Sequence, residues 1–288
     1  MSNNIYNMDE TGFIFGQGGS QQVLVPNGDW ASCFKAQPAN RESATVVECI
    51  GSGGQILPPL IITQGKVHTV GEQRQMVNIP ATWRFSKGPT GYNNIQRAKL
   101  WVEQIFDPNT MPLQPEEYRL LVLNGHKIHT SSAFLDALWQ RCIIPLCQPA
   151  HCTHVMQLLD VSVFGPLTAA YCRMVVELAP HLASTGVDKA QFGTCYARAR
   201  SQTLTTASAK KVFQDLGMTI YPNPNKVLDR LPGSAAAGCQ SGTAPLINQT
   251  NVEASQPTIP VVSCWISYRR RTTRGTLKHT LVQAYQSA

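Results

Sequence analysis

The chain has 288 residues, a length expected for one or two domains, and 43% of them are hydrophobic, which is enough for a buried core. Its apolar runs are too short to span a membrane, and its N-terminus lacks the basic and apolar regions of a signal peptide. We therefore expect a soluble intracellular protein without a membrane partner. The nine cysteines are scattered without a CxxC pair, which favours reduced thiols over a disulfide scaffold.

The net charge of +7 is unevenly distributed along the chain. Residues 1–188 contain 12 Lys and Arg against 14 Asp and Glu, whereas residues 189–288 contain 12 against 3. A basic C-terminal third indicates a polyanionic partner, most often nucleic acid. A basic tail that is simply solvated is the alternative.

The N-terminal part of the chain predicts one strand and one β-hairpin. Residues 5–8 form a short strand that runs into an acidic turn beginning at Asp9. Residues 44–50 and 56–62 are rich in β-branched and apolar residues and flank a glycine turn, which is typical of a hairpin. The two prolines of the second segment favour an edge strand or a bulge.

The middle of the chain alternates helices and strands. Residues 94–106 place apolar side chains on one helical face, and the apolar run 120–123 predicts a buried strand. A helix with an apolar stripe follows this strand, then the short strand 143–146, and then a third helix over 162–178. This order indicates an α/β protein with a mixed sheet flanked by helices.

Polar residues stand at three predicted element ends: Asp9 after the first strand, Asn124 after the central apolar strand, and Asp160 at the start of the third helix. In α/β proteins the functional residues gather at strand ends. Acidic groups brought together from distant parts of a chain are what a two-metal phosphoryl-transfer site requires. Taken singly, Asp9 also fits a turn aspartate and Asp160 a helix cap.

Four blocks of the sequence resemble the DDE endonuclease domain of pogo/Fot-type transposases, a group that includes relatives of centromere protein B. The blocks are NMDETGF at 7–13, LLVLNGHKIHTSSAF at 120–134, IIPLCQPAHCTHVMQLLDVSVFGPL at 143–167 and DLGMTIYPNPNKVLDRL at 215–231. The resemblance implies a ribonuclease H-like fold, location in the nucleus, and DNA cleavage and strand transfer that depend on Mg²⁺ or Mn²⁺. It also implies DNA as the partner and leaves a homo-oligomer open.

The resemblance assigns the metal-binding triad residue by residue. The family's first catalytic aspartate falls on Asp9 and its third on Asp160, while its second falls on Asn124, with 35 residues between Asn124 and Asp160. Four histidines match the rim of the family's site: His126, His129, His151 and His154. An amide supplies only a carbonyl dipole where a carboxylate supplies a full charge. We therefore expect weak metal binding at Asp9, Asn124 and Asp160 and no transposition.

The resemblance also divides the chain into three predicted parts. Residues 1–180 form the DDE endonuclease domain, residues 181–232 a helical C-terminal extension, and residues 233–288 a low-complexity basic tail that we expect to be disordered. Transposases of this family carry helix-turn-helix domains before the catalytic domain. The chain begins about four residues before its first predicted strand, so we expect a truncated copy without them.

Two alternative functions remain open from the sequence. The first is a catalytically dead DNA- or protein-interaction module of a domesticated transposase, for which the basic and aromatic segment 265–274 is a candidate contact surface. The second is a zinc site built from Cys152 and the four histidines named above, whose spacing and neutral nitrogen ligands suit Zn²⁺.

Overall fold

The computed structural model describes residues 4–15, 42–66, 79–114, 117–148, 156–178, 187–218, 223 and 225–228. These residues all belong to one unit of the chain, Met1–Pro232. The predictions for His151, Cys152 and His154 and those for the tail from residue 233 onward lie outside the described residues. The three-part division of the chain therefore stays a prediction.

A six-stranded sheet forms the centre of the described structure. Its strands are β1 Ile5–Ile14, β2 Ser43–Gly51, β3 Leu60–Gln64, β4 Arg84–Gly88, β5 Arg119–Leu123 and β6 Ile143–Cys147. The order across the sheet is β4-β3-β2-β1-β5-β6. β2 is antiparallel to both β1 and β3, whereas the pairs β3–β4, β1–β5 and β5–β6 are parallel. The predicted mixed sheet is confirmed.

The sequence did not predict β4, and this strand changes the position of β3. β4 is a short polar segment, RFSKG, whose residues are mostly half-buried, so it lacks the apolar pattern that marks a strand. β3 begins at Leu60, after the two prolines, and pairs with β4 on its outer side. β3 is therefore an inner strand, and the edge strand expected there is wrong.

Eight helices and one π-helical turn are found in the described part of the chain. They are α1 Ile95–Trp101, the π-helical turn Val102–Phe106, α2 Asp107–Thr110, α3 Ser132–Trp139, α4 Leu158–Ser162, α5 Phe164–Leu178, α6 Lys189–Thr203, α7 Thr206–Asp215 and α8 Asn225–Leu228. The third predicted helix is thus two helices, α4 and α5, separated at Val163. No helix among the described residues combines the length and the apolar character needed to cross a membrane.

Helices cover both faces of the sheet, which explains why the central strand is apolar throughout. Leu121 and Leu123 of β5 pack into a core formed with α1, its π-helical turn and α3. Val122, between them, packs into the opposite core with α5, α6 and α7. Successive side chains of a strand point to opposite faces, so a strand covered on both sides reads as an unbroken apolar run.

A buried ion pair joins α6 to β2 on the second of these faces. The guanidinium of Arg200 donates to both carboxylate oxygens of Glu48, at 2.7 and 2.9 Å, and also to the carbonyl of Leu57 at 2.6 Å. The hydroxyl of Tyr196 donates to the same carboxylate, and the Arg200 guanidinium lies 5.4 Å from the centre of the Trp83 ring. Glu48 is fully buried, and its charge is paired within the core.

Candidate active site

The register of β1 against β5 brings Asp9 and Asn124 together. Asn7 of β1 lies beside Val122 of β5 in the parallel ladder, and β5 ends at Leu123. The next residue, Asn124, therefore lies level with the middle of β1, next to Asp9. The side chains meet there, since Nδ2 of Asn124 donates to Oδ1 of Asp9 at 3.1 Å.

Asp9 itself does not lie at the end of a strand. β1 continues past it to Ile14, and Asp9 is paired with Glu48 in the antiparallel ladder with β2. The acidic turn expected at Asp9 is therefore wrong. β5 is the strand that ends at this level, so the site forms where a short strand stops beside a longer one.

The hydrogen bonds of Asn124 fix which end of its amide faces Asp9. Its Oδ1 accepts from the backbone N–H of His126 at 3.2 Å and lies 2.6 Å from Nδ1 of His129. A backbone N–H can only donate, so the atom that it contacts is the amide oxygen. The nitrogen, which is a donor, is therefore the atom directed at the Asp9 carboxyl group.

Asn7 ties the third part of the site to the other two. Its side chain is completely buried, and its Nδ2 donates to the carbonyl of Val122 at 3.1 Å. Its Oδ1 accepts from the backbone N–H of Leu159 at 3.2 Å. One amide thus links β1, β5 and α4, and it holds Asp160, the residue after Leu159, near Asp9. The sequence analysis missed Asn7, whose single signal is a polar residue between the apolar residues of the predicted strand 5–8.

The two carboxyl groups of the site influence each other. Burial raises the pKa of Asp9 to about 8. Repulsion from the Asp160 and Glu10 carboxylates adds to this rise. Hydrogen bonds from the backbone of Glu10 and from the amide of Gln157 oppose it. Partial burial raises the pKa of Asp160, and a hydrogen bond with Asp9 opposes that rise.

Gln157 adds a buried amide to the same region. Its side chain is completely buried, and it lies close enough to Asp9 for its amide to lower the pKa of that carboxyl group. It directly precedes α4, three positions before Asp160. It is a second polar residue of the site that the sequence analysis did not identify.

The two described histidines occupy different environments. His129 is 1% exposed, whereas the side chain of His126 is exposed to solvent. Nε2 of His129 lies 3.7 Å from Oε1 of Glu10, and the same Glu10 oxygen accepts from Nδ2 of Asn93 at 2.7 Å. Burial raises the pKa of Glu10, but the hydrogen bonds from His129 and Asn93 and the nearby histidine charges outweigh it and lower this pKa overall.

The described side chains do not fit a divalent cation. Mg²⁺ and Mn²⁺ prefer oxygen ligands, and the site offers the two carboxyl groups of Asp9 and Asp160. The third position presents the N–H of Asn124 to the Asp9 oxygen that a cation would use. Within the described ranges, no group of three or more His, Cys, Asp or Glu side chains is arranged to hold a metal ion. This finding also gives the zinc alternative no support among the described histidines.

Comparison with sequence families gives one match. A model of the family described as DDE superfamily endonuclease matches residues 40–213. The matched segment contains Asn124 and Asp160, and it begins after Asp9.

Two curated proteins are similar to parts of the chain. A Cochliobolus lunatus protein named MFS-type transporter clz9 is 26% identical over 231 residues, which cover 80% of this chain and 25% of that protein. The human protein named Pogo transposable element with ZNF domain is 25% identical over 143 residues, which cover 50% of this chain and 10% of that protein. The chain thus corresponds to a quarter or less of the length of each relative.

Solved structures of Mos1 transposase resemble the fold. The Mos1 strand transfer complex has a TM-score of 0.49 at 12% identity, covering 74% of this chain and 51% of that one. The catalytic domain of Mos1 mariner transposase has a TM-score of 0.37 at 12% identity, covering 74% of this chain and 79% of that one. At this identity the likeness concerns the fold alone.

Proposed function

Because the chain belongs to the DDE superfamily endonuclease family, we propose that it is a transposase-derived endonuclease domain whose metal-dependent DNA cleavage is impaired by Asn124. The observation that carries the proposal is the 3.1 Å hydrogen bond from Nδ2 of Asn124 to Oδ1 of Asp9. It places a hydrogen-bond donor where a metal site needs a negatively charged oxygen.

Replacing a carboxylate by an amide at position 124 removes a large electrostatic contribution to metal binding. Two unit charges 4 Å apart interact by about 4 kcal/mol at an effective dielectric constant near 20, and a divalent ion doubles this value. Hydration of the free ion cancels much of it. The remaining difference still corresponds to a loss of affinity by orders of magnitude, since each 1.4 kcal/mol is a factor of ten.

The remaining parts of the proposal follow from membership of the family and from the charge distribution. The partner is DNA, and the place of action is the nucleus. The 12 basic against 3 acidic residues of 189–288 supply sequence-independent contacts to phosphate groups. A metal ion, Mg²⁺ or Mn²⁺, belongs to the ancestral chemistry and binds weakly to this copy.

Restoring the carboxylate tests the proposal directly. We expect Asn124→Asp to nick supercoiled plasmid DNA in the presence of Mn²⁺ about 100-fold faster than the unchanged protein, a difference of ~2.7 kcal/mol in the barrier. The physical reason is that an acceptor oxygen replaces the N–H that faces Asp9. Conversion of supercoiled to open-circular plasmid on a gel measures the rate.

The matched control is the double variant Asn124→Asp, Asp160→Asn, which gains one carboxylate and loses another. It should stay as inactive as the unchanged protein, which excludes a contaminating nuclease as the source of nicking. If the unchanged protein nicks DNA as fast as Asn124→Asp, the proposed impairment is wrong.

A second candidate function is a DNA-binding module that has lost catalysis altogether. The absence of a metal-binding group of side chains within the described ranges favours it, as does the basic C-terminal third. This candidate predicts that Asn124→Asp changes neither cleavage nor DNA affinity. The nicking assay therefore separates the two candidates.

A further inference from the structure

We infer that His129, held in place by Glu10, is a positioning residue that determines which atom of residue 124 faces Asp9. The His129 ring acts through its contact with the side chain of residue 124. Its consequence for metal binding rests on the function proposed above. Its consequence for the orientation of the Asn124 amide does not.

The first step concerns the oxygen of Asn124. Two donors converge on Oδ1: Nδ1 of His129 at 2.6 Å and the backbone N–H of His126 at 3.2 Å. An amide oxygen has two lone pairs, and these two donors occupy both of them. Because the oxygen can only accept, Nδ1 of His129 must carry the proton in this contact. The nitrogen of Asn124 is left to face Asp9.

The second step concerns the rigidity of the imidazole ring. His129 is 1% exposed, and its ring packs against Phe134 with 5.6 Å between ring centres. Oε1 of Glu10 lies 3.7 Å from the far nitrogen, Nε2, and Asn93 in turn holds this Glu10 oxygen at 2.7 Å. The ring is therefore enclosed on the side away from Asn124 by Phe134 and the Glu10 carboxylate, while its Nε2 makes no hydrogen bond of ordinary length.

The third step concerns a carboxylate at position 124. In Asn124→Asp, His129 and the His126 backbone N–H would still bind one of the two side-chain oxygens. The other oxygen would then take the place of Nδ2 and point at Asp9 as an acceptor. Partners of this kind, which orient a metal ligand without binding the metal, typically change metal affinity 10–100-fold when they are removed.

The orientation is tested on the chain as it stands, without metal. The side-chain amide of Asn124 is observed by NMR in protein labelled with ¹⁵N-asparagine, and its signals are assigned by their loss in Asn124→Asp. The variant His129→Leu replaces the buried imidazole by an apolar side chain. In this variant we expect the side-chain amide protons of Asn124 to exchange with solvent about tenfold faster, because Oδ1 of Asn124 loses a hydrogen-bond partner.

Two further variants make this test specific. His129→Asn places an amide nitrogen where Nδ1 of the ring lies, so it should keep the slow exchange seen in the unchanged protein. Lys127→Ala removes an exposed side chain from the same loop, and it should also leave the signals unchanged. Circular dichroism confirms that each variant is folded at the temperature of the measurement.

The metal arm uses Asn124→Asp and measures Mn²⁺ binding by isothermal titration calorimetry. We expect His129→Leu in this background to weaken Mn²⁺ binding about 10–100-fold, His129→Asn to restore most of it, and Lys127→Ala to leave it unchanged.

The two arms separate the possible failures. If Asn124→Asp binds no Mn²⁺, the metal site of the proposed function is wrong, and the amide signals still decide the role of His129. If His129→Leu is folded and leaves the exchange of the Asn124 amide unchanged, the positioning role is overturned, whatever the metal binding shows.

Discussion

At position 124 the difference between an amide and a carboxylate changes the sign of an interaction. The Asn124 nitrogen donates to Asp9 at 3.1 Å, so the pair is attractive in the protein without metal. A carboxylate there would bring a third acidic group beside Asp9 and Asp160, which already influence each other's pKa. We therefore expect the amide of Asn124 to stabilise the fold of the protein without metal.

This reasoning predicts that Asn124→Asp lowers the free energy of unfolding in EDTA by about 1–3 kcal/mol, because a hydrogen bond is lost and like charges meet. Millimolar Mn²⁺ should return part of this loss, since a ligand that binds only the folded state stabilises it. Thermal unfolding with EDTA and with Mn²⁺ measures both effects.

The unchanged protein is the control in this experiment, and its melting temperature should differ little between EDTA and Mn²⁺. Equal melting temperatures of Asn124→Asp and the unchanged protein in EDTA would contradict the stabilising role of the amide.

Among the secondary-structure elements, the contact between β1, β5 and α4 depends on one buried side chain. Asn7 donates to the carbonyl of Val122 and accepts from the N–H of Leu159, at 3.1 and 3.2 Å. Without it, the N–H of Leu159 would lose its partner, and the Val122 carbonyl would lose one of its donors. A buried donor without a partner costs about 1–3 kcal/mol.

Asn7→Ala is therefore expected to lower the free energy of unfolding by about 1–4 kcal/mol, from the unpaired N–H of Leu159 and the small cavity. Urea unfolding followed by circular dichroism measures the change. The control is Asn4→Ala, which removes a partly buried bond of 3.3 Å to Glu117 near the start of the same strand. A loss for Asn7→Ala no larger than that for Asn4→Ala would show that the buried amide does not hold the three elements.

The attachment of α6 to the sheet depends on the pair formed by Arg200 and Glu48. Replacing one partner of a buried pair typically costs 3–5 kcal/mol, because the other charge stays buried without compensation. We expect this loss for Arg200→Met in urea unfolding. The double variant Arg200→Met, Glu48→Leu should recover much of it, because no buried charge remains.

The control for this prediction lies two positions earlier on the same helix. Arg198 is 66% exposed and lies 3.8 Å from Glu177, a surface pair of the kind that contributes little. Arg198→Met should change the free energy of unfolding by less than about 0.5 kcal/mol. If Arg198→Met and Arg200→Met behave alike, the buried pair is not what attaches α6.

At the scale of the whole molecule, the charge is divided between a near-neutral part and a basic one. The +7 net charge arises within residues 189–288, where 12 basic residues stand against 3 acidic ones. The described basic residues of this part include Lys210 and Lys211, which are exposed on α7. Such a distribution favours phosphate contacts that do not depend on DNA sequence.

We therefore expect the full chain to bind random duplex DNA with an affinity that falls about tenfold or more between 50 and 200 mM salt. Fluorescence anisotropy with a labelled duplex measures this slope. Deleting residues 233–288 should reduce both the affinity and the slope, since several basic residues are lost. An affinity that does not depend on salt would exclude the phosphate contacts.

Leu113→Ala serves as the matched control for the binding assay. Leu113 is fully exposed, and the variant changes neither the candidate active site nor the basic residues, so its affinity for DNA and its salt slope should equal those of the unchanged protein.

The sequence alone determined the class of fold and the buried strand over residues 120–123, whereas the triad of Asp9, Asn124 and Asp160 stays a prediction. These features are carried by local patterns: the apolar run 120–123, and the blocks that resemble the transposase family. The strand β4 and the inner position of β3 were not predicted. A short polar strand has no hydrophobic pattern of its own, and β4 pairs with β3, which is distant along the chain. The role of Asp9 as a site residue remains a prediction.

Only the tertiary structure decided how Asn124 acts on Asp9. Which atom of the amide faces the carboxyl group depends on His126, His129 and the level at which β5 ends beside β1. The same is true of Asn7, whose two partners lie 115 and 152 residues away along the chain. Hydrogen bonds of this kind have direction and long sequence separation, and neither property is encoded in a local pattern of residue types.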